Sequence, residues 1–176
     1  MKSLIEWYRR EYKECDESQA YIDYVEEHIK NVQKSWSIIK EKCADTPIVT
    51  DGSIHYWINI NILRHDKSKL SEHEFEQYRQ WFYPKPGEKK DEELFKRALH
   101  HHVSSNGHHH ENVHRFIVKE KFMIYATEML CDWMAMGMKF GDTAEEYYHS
   151  NSHKMMLSKY QDKKDFLFMI FDKLKR

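Results

Sequence analysis

Thirteen histidines occur in this chain of 176 residues, and seven of them fall between His100 and His114. Imidazole is a preferred metal ligand, and histidine is the one side chain that titrates near neutrality unperturbed. The runs His100–His102 and His108–His110 are internal, interrupted and short, which is unlike a purification tag. Four further polar residues occupy positions that the surrounding pattern marks as buried or nearly so: His28, the adjacent pair His65-Asp66, and Asp132. Imidazole and carboxylate together suit zinc, iron, manganese or nickel. A buried aspartate without a partner is costly, so Asp132 beside Cys131 asks for a cation or a hydrogen bond. Each residue taken singly has a structural alternative. His28 reads equally as a hydrogen-bonded core histidine, Asp132 as a cap or ion-pair partner, and His65-Asp66 as a chance dipeptide. The order His, His-Asp, Asp is the stronger signal, because residues on three helices of a bundle can converge on one ion.

The elements that must position these groups are helical. Tyr21, Val25, His28, Val32 and Ile39 recur at helical spacing and predict an amphipathic helix over residues 18–43, with His28 inside its apolar stripe. Residues 44–52, with Pro47 and Asp51-Gly52, read as a loop. A second helix from Ser53 carries Ile54, Ile58, Ile62 and His65 on one face and ends near His65-Asp66. Ser71-Glu72-His73-Glu74 has the form of a capping box opening a helix with Phe75, Tyr78 and Phe82, which stops before Pro84. Asp91 caps the next helix, on which Phe95, Ala98, Leu99 and His102 share a face, and Asn106-Gly107 breaks it. A long helix is expected over residues 111–140, with Ile117, Ile124, Cys131, Ala135 and Met138 recurring, and Gly141 ends it. Thr143 to Glu146 forms another capping box, and the segment from Asp162 is amphipathic through Phe166, Ile170 and Leu174. The pattern predicts an all-α, single-domain helical bundle over residues 1–176.

Composition supports that class. Five glycines and three prolines are too few for the many corners of a β-sandwich or an α/β fold. Hydrophobic content of 40% can build a core, and 32% charged residues supply solvated faces. With 28 basic against 29 acidic residues the formal charge is −1, so the chain lacks the field that concentrates nucleic acid or anionic membrane. Lys154, Lys159, Lys163 and Lys164 read as a solvated helix face. Cys15, Cys43 and Cys131 show no CxxC spacing and read as reduced thiols of a cytoplasmic protein. No apolar run is long enough for a membrane span, and no secretory leader is expected. Five tryptophans, eleven tyrosines and nine methionines at helical spacing read as core.

The order His28…His65-Asp66…Asp132 resembles the HD superfamily of metal-dependent phosphohydrolases, whose signature is H…HD…D on helices. His65-Asp66-Lys67-Ser68-Lys69 is similar to the HDxGK variant of cyclic-dinucleotide phosphodiesterases, with Ser68 in place of the glycine; His101-His102 and Glu111 loosely resemble that branch's HHE stretch, and no GYP motif follows. Nearly the whole chain resembles a family of small HD-like proteins of bacteria and their phages. The resemblance runs through His65-Asp66-Lys67-Ser68-Lys69-Leu70-Ser71, Glu74-Phe75, Tyr78, Phe82-Tyr83-Pro84, His101-His102, Asn106, His108-His109, Glu111, Glu128-Met129, Asp132-Trp133, Ala135-Met136 and Tyr147-Tyr148. It implies a bundle of the HD type holding one or two divalent transition-metal ions (Zn, Mn, Fe, Co or Ni). The implied ligands are His28, His65, Asp66 and Asp132, with His101, His108 and His109 added for a second ion, while His100, His110 and His114 are left at the surface.

The resemblance further implies hydrolysis of a small phosphoester, a nucleotide by default, with a metal-activated water as nucleophile. Lys69 would neutralise phosphate charge, and His102 or Glu111 would protonate the leaving oxygen. Lys69 also reads as a solvated lysine before a helix. No glycine-rich phosphate loop of the Walker type is present. Two other classes stay open: a non-catalytic metal- or nucleotide-binding protein, and a di-iron oxygenase. Oligomeric state is not legible.

Overall fold

In the computed structural model, which describes residues 2–175, the chain forms ten α-helices and no strand among the described residues. In chain order these are α1 (Lys2–Glu11), α2 (Asp16–Lys42), α3 (Pro47–Thr50), α4 (Gly52–Arg64), α5 (Phe75–Phe82), α6 (Glu92–Ser105), α7 (His110–Val113), α8 (Lys119–Phe140), α9 (Ala144–Asn151) and α10 (Gln161–Leu174). Three 3-10 turns join them, at Lys67–Leu70, Ser152–Lys154 and Met156–Lys159. The protein is all-α, as the scarcity of turn residues requires. No helix among the described residues is long and apolar enough to cross a membrane.

The chain divides into two compact units, each with its own core. The first comprises the described residues of Met1–Ile29 together with Asp66–Asn106. Its core joins Ile5 and Tyr8 of α1, Tyr21, Ile22, Val25 and Ile29 of α2, Leu70, Phe75, Tyr78 and Ala98. The stripe Tyr21, Val25, His28 is buried along α2 as its spacing predicts. α5 packs on α6. Arg79, only 3% exposed on its side chain, ties α5 to the following loop: its guanidinium meets both carboxylate oxygens of Glu88 at 2.6 and 2.7 Å and Glu76 at 3.0 Å. Asp91 caps α6 through the Leu94 amide, and α6 ends before Asn106-Gly107. Of the expected face of α6, Ala98 and His102 are buried whereas Leu99 is exposed.

The second unit comprises Lys30–His65 and the described residues of Gly107–Arg176. α4 packs along α8, with α3 and α9 beside them. Ile54, Ile58 and Ile62 meet Ala126, Met129, Leu130 and Trp133 in one core with Trp36, Ile39, Leu167 and Ile170. Burying each such aliphatic side chain contributes roughly 1.5–3 kcal/mol. α8 ends at Gly141, which takes the left-handed φ of 90° that its C-cap requires. Gly137, one turn earlier, lets Asp142 fold back so closely that a Cβ would lie 2.0 Å from the Asp142 carbonyl oxygen. Thr143 and Glu146 complete the capping box of α9.

Several local expectations are corrected. The 44–52 segment is not all loop, because Pro47 in the first turn starts α3. Ser71 and Glu74 form no capping box: α5 begins at Phe75, Glu74 turns its carboxylate to His101 and the buried His102, and the Ser71 hydroxyl is buried without a hydrogen bond. The long 111–140 helix is two helices, α7 and α8, separated by residues 114–118. Ile117 lies in that break, 97% exposed, and Met138 is also exposed. Lys163 is no solvated lysine. It is buried and donates to the His114 and Phe116 carbonyl oxygens, which fixes the break. Trp36 and Trp133 are core as expected, but Trp7 and Trp57 are about half exposed.

Candidate metal centre

α4 ends with His65 as its C-cap, and the next residue, Asp66, has a φ of 52°. Aspartate tolerates this left-handed region better than most side chains, and here it turns the chain directly into the Lys67–Leu70 turn. His65 and Asp66 are thus consecutive residues at the boundary of the two units, and each belongs to a cluster within its own unit.

In the first unit the centre is Asp66, 2% exposed. His28 on α2 places Nε2 3.5 Å from its Oδ2, and His102 on α6 places Nε2 3.4 Å from its Oδ1. Lys69, three residues on, holds its ammonium 2.6 Å from Oδ2 and is itself largely buried. Behind His102 lies Glu74, fully buried, whose Oε2 is 2.9 Å from His102 Nδ1 and whose Oε1 is 2.6 Å from His101 Nδ1. Ser68 Oγ lies 3.1 Å from His102 Nδ1 and accepts from Asn106, which also donates to the His102 carbonyl. Burial alone would raise the Glu74 carboxyl, but its contacts with His102 and then His101 outweigh that and hold it below the usual range.

In the second unit His65 is wholly buried. Its Nδ1 is 3.1 Å from Glu128 Oε1 on α8, and its Nε2 is 3.7 Å from Asp132 Oδ1 one turn further along the same helix. The spacing of Glu128 and Asp132, four residues apart, puts both carboxylates on one helix face. His108, also buried, brings Nδ1 to 3.2 Å from the same Glu128 oxygen, and its ring lies 4.4 Å from that of His65. Asn61 of α4 donates to the other Glu128 oxygen at 3.0 Å. Burial would raise the Glu128 carboxyl, yet the charge and hydrogen bond of His108 and the hydrogen bond of His65 pull it down to about 2. Nearby, burial and the charges of Asp132, Glu111 and Asp142 push the Tyr147 hydroxyl up.

The contacts fall into two sorts. Those between Nδ1 and the glutamates, at 2.6 to 3.2 Å, are hydrogen-bond distances. Those between Nε2 and the aspartates, at 3.4 to 3.7 Å, are too long for that. Two ligands bonded to one ion at ~2.1 Å in tetrahedral array stand ~3.4 Å apart, so the Nε2–aspartate spacings suit ligation. Histidine ligands anchored through the other ring nitrogen are the usual arrangement at metal sites. The groups present therefore fit a divalent transition metal, with the glutamates anchoring the rings and Nε2 left for the ion.

Of the residues singled out from sequence, His28, Asp66, Lys69 and His102 come together in one unit, and His65, His108 and Asp132 in the other. His102 has both ring nitrogens engaged, Nε2 at Asp66 and Nδ1 at Glu74. His101 supports Glu74 and is part-exposed. His109 stands at the N-cap position of α7 without a side-chain cap bond, its ring 4.3 Å from His108, and Glu111 is about half exposed on α7. His100 is exposed, whereas His110 and His114 are half-buried, His114 donating from Nδ1 to the His110 carbonyl oxygen at 3.1 Å. Sequence reasoning missed Glu74, Glu128 and Asn61. For Glu128 a signal existed: residues 122–138 are apolar except for Glu128 and Asp132 among charged types.

Fold and clusters define an all-α protein with buried imidazole–carboxylate sites suited to metal. The chain belongs to a family of unknown function (DUF5662), whose profile matches residues 17–173. No curated protein and no solved structure matches it.

Proposed function

We propose that the protein is a metal-dependent phosphohydrolase acting on a nucleotide or a related small phosphoester. The observation that carries the reading is Asp66, buried between two imidazole Nε2 atoms at ligand spacing with the Lys69 ammonium against it. The H…HD…D order and the similarity of His65–Lys69 to the HDxGK motif support the same class. His28, Asp66 and His102 would be the ligands of an ion in the first unit, and in the second His65 and His108 would be, with Asp132 lying 3.7 Å from His65 Nε2. Such an ion, when bound, supplies a water of lowered pKa and polarises a phosphoryl oxygen.

Lys69 is the residue of this chain that meets the phosphate. Its ammonium is a compact charge already held near Asp66, and a phosphate oxygen is an equivalent partner for it. Low solvent access strengthens that attraction over its value in water. The three cysteines are free, which suits a reducing compartment such as the cytoplasm.

The test is elemental analysis of untagged protein beside Asp66→Asn, followed by turnover of a panel of nucleotides and simple phosphoesters with zinc, manganese, iron, cobalt or nickel. One or two equivalents of metal and phosphate release, both reduced in the variant, are expected. Stoichiometric metal without any turnover would instead make this a metal- or nucleotide-binding protein. Two iron equivalents with an oxygen-dependent absorbance would make it an oxygenase.

A further inference from the structure

Two buried glutamates meet four imidazoles, and all four contacts use Nδ1. Glu128 Oε1 receives His65 and His108, at 3.1 and 3.2 Å, while its Oε2 accepts from Asn61 at 3.0 Å. Glu74 takes His101 on one oxygen at 2.6 Å and His102 on the other at 2.9 Å. A carboxylate oxygen has two lone pairs and no proton to give, so one oxygen can accept from two rings. An Nδ1 that meets such an oxygen must carry the hydrogen to bond it. At His102, where Ser68 Oγ and Asn106 Nδ2 also lie 3.1 and 3.3 Å from Nδ1, the contact with Glu74 at 2.9 Å is the shortest. In a neutral ring the free lone pair then sits on Nε2.

We propose that Glu128 and Glu74 are positioning residues that fix the tautomer and the ring angle of His65, His108 and His102, so that Nε2 of each is the metal donor. The inference rests on the metal-centre reading above and adds to it which nitrogen binds and what selects it. Two neighbouring features fit. The Nε2 atoms of His65 and His102 lie 3.7 Å from Asp132 and 3.4 Å from Asp66. Both glutamates are nearly inaccessible, Glu74 at 0% and Glu128 at 5%, so water does not compete for their oxygens. Removing such an anchoring group from a histidine ligand costs about 10–100-fold in metal affinity.

Protein labelled with 15N-histidine and stripped with chelator reports the tautomers directly through two-bond proton–nitrogen correlations. His65, His108 and His102 are expected in the Nδ1–H form before any metal is added. Glu128→Met keeps the length and removes the acceptor. It is expected to leave His65 and His108 as tautomer mixtures and to weaken zinc binding by about 10–100-fold, measured by competition with a chromophoric chelator. Glu128→Gln keeps one acceptor oxygen where the two rings meet, with the Asn61 amide free to turn over, and should retain the Nδ1–H form and most of the affinity. Nε2–H at His65 or His108 in the metal-free wild type overturns the proposal, as does a folded Glu128→Met protein whose tautomers are unchanged. The wild-type spectrum alone decides if the methionine variant does not fold. Failure of the wild type to bind zinc overturns the metal-centre reading instead, and is told apart because the tautomers are read in its absence.

Discussion

Replacing Glu88 with glutamine tests the electrostatic strut that steadies the α5–α6 end of the first unit. Arg79 is nearly inaccessible and its guanidinium forks onto both Glu88 oxygens, while the Lys85 amide donates to the same carboxylate at 2.8 Å. The hydrogen bond from Arg79 and then that from Lys85 hold the Glu88 carboxyl at about 2. The fall from the ordinary carboxylate value is worth ~3 kcal/mol if fully retained. Glu88 keeps 22% of its side-chain surface in solvent, and screening there reduces the figure to about 1–2 kcal/mol. The folded state holds this carboxyl's pKa below its unfolded value. Its contribution is therefore complete above the ordinary carboxylate range and is lost as pH falls toward about 2. The assay is thermal unfolding of wild type and Glu88→Gln followed by circular dichroism between pH 7 and pH 2.5. At pH 7 the variant should melt roughly 3–6 °C lower, and the gap should close progressively below about pH 4.5. A gap that stays constant with pH would refute the charge-based account. A gap that is absent at pH 7 would show that Arg79 is satisfied by Glu76 and the Tyr83 carbonyl alone.

Three further substitutions probe the second unit. Lys163→Met removes a buried cation that satisfies the His114 and Phe116 carbonyls, and is expected to cost about 1–3 kcal/mol in urea unfolding and to raise amide exchange across residues 114–118. Gly137→Ala places a Cβ against the Asp142 carbonyl and should destabilise by about 1–3 kcal/mol, whereas Gly52→Ala, which meets nothing within 4 Å, should not do so through a clash.

How much was legible beforehand depended on whether the deciding contact was local. α2 announces itself because Tyr21, Val25, Val32 and Ile39 repeat at the helical period and all are buried. Asp91 and Thr143 could be read as caps because a cap bonds within three residues. The break between α7 and α8 carries no glycine or proline, and the group that satisfies its carbonyls, Lys163, is 49 residues from His114. The apparent box at Ser71–Glu74 failed for the same reason: Glu74 prefers histidines 27 and 28 residues away to its own backbone. At the site, histidine and aspartate types mark themselves. A helical glutamate is ordinarily a surface residue, so Glu74 becomes visible only once its imidazoles are in place, whereas Glu128 stands out by its apolar neighbours alone.

The left-handed backbone at Asp66 has a consequence for how this position tolerates change. Among the described non-glycine residues it alone has a positive φ. A substitution there meets two separate filters, one for the carboxylate and one for the main chain. Alanine or valine fails both, so loss of function in such a variant says nothing about which filter acted. Asparagine passes the backbone filter and fails only the charge, and glycine relieves the backbone while deleting the side chain. Family members that carry Asn or Gly at this place would keep the turn after α4 while losing the carboxylate, so this one position separates what the backbone needs from what the side chain supplies.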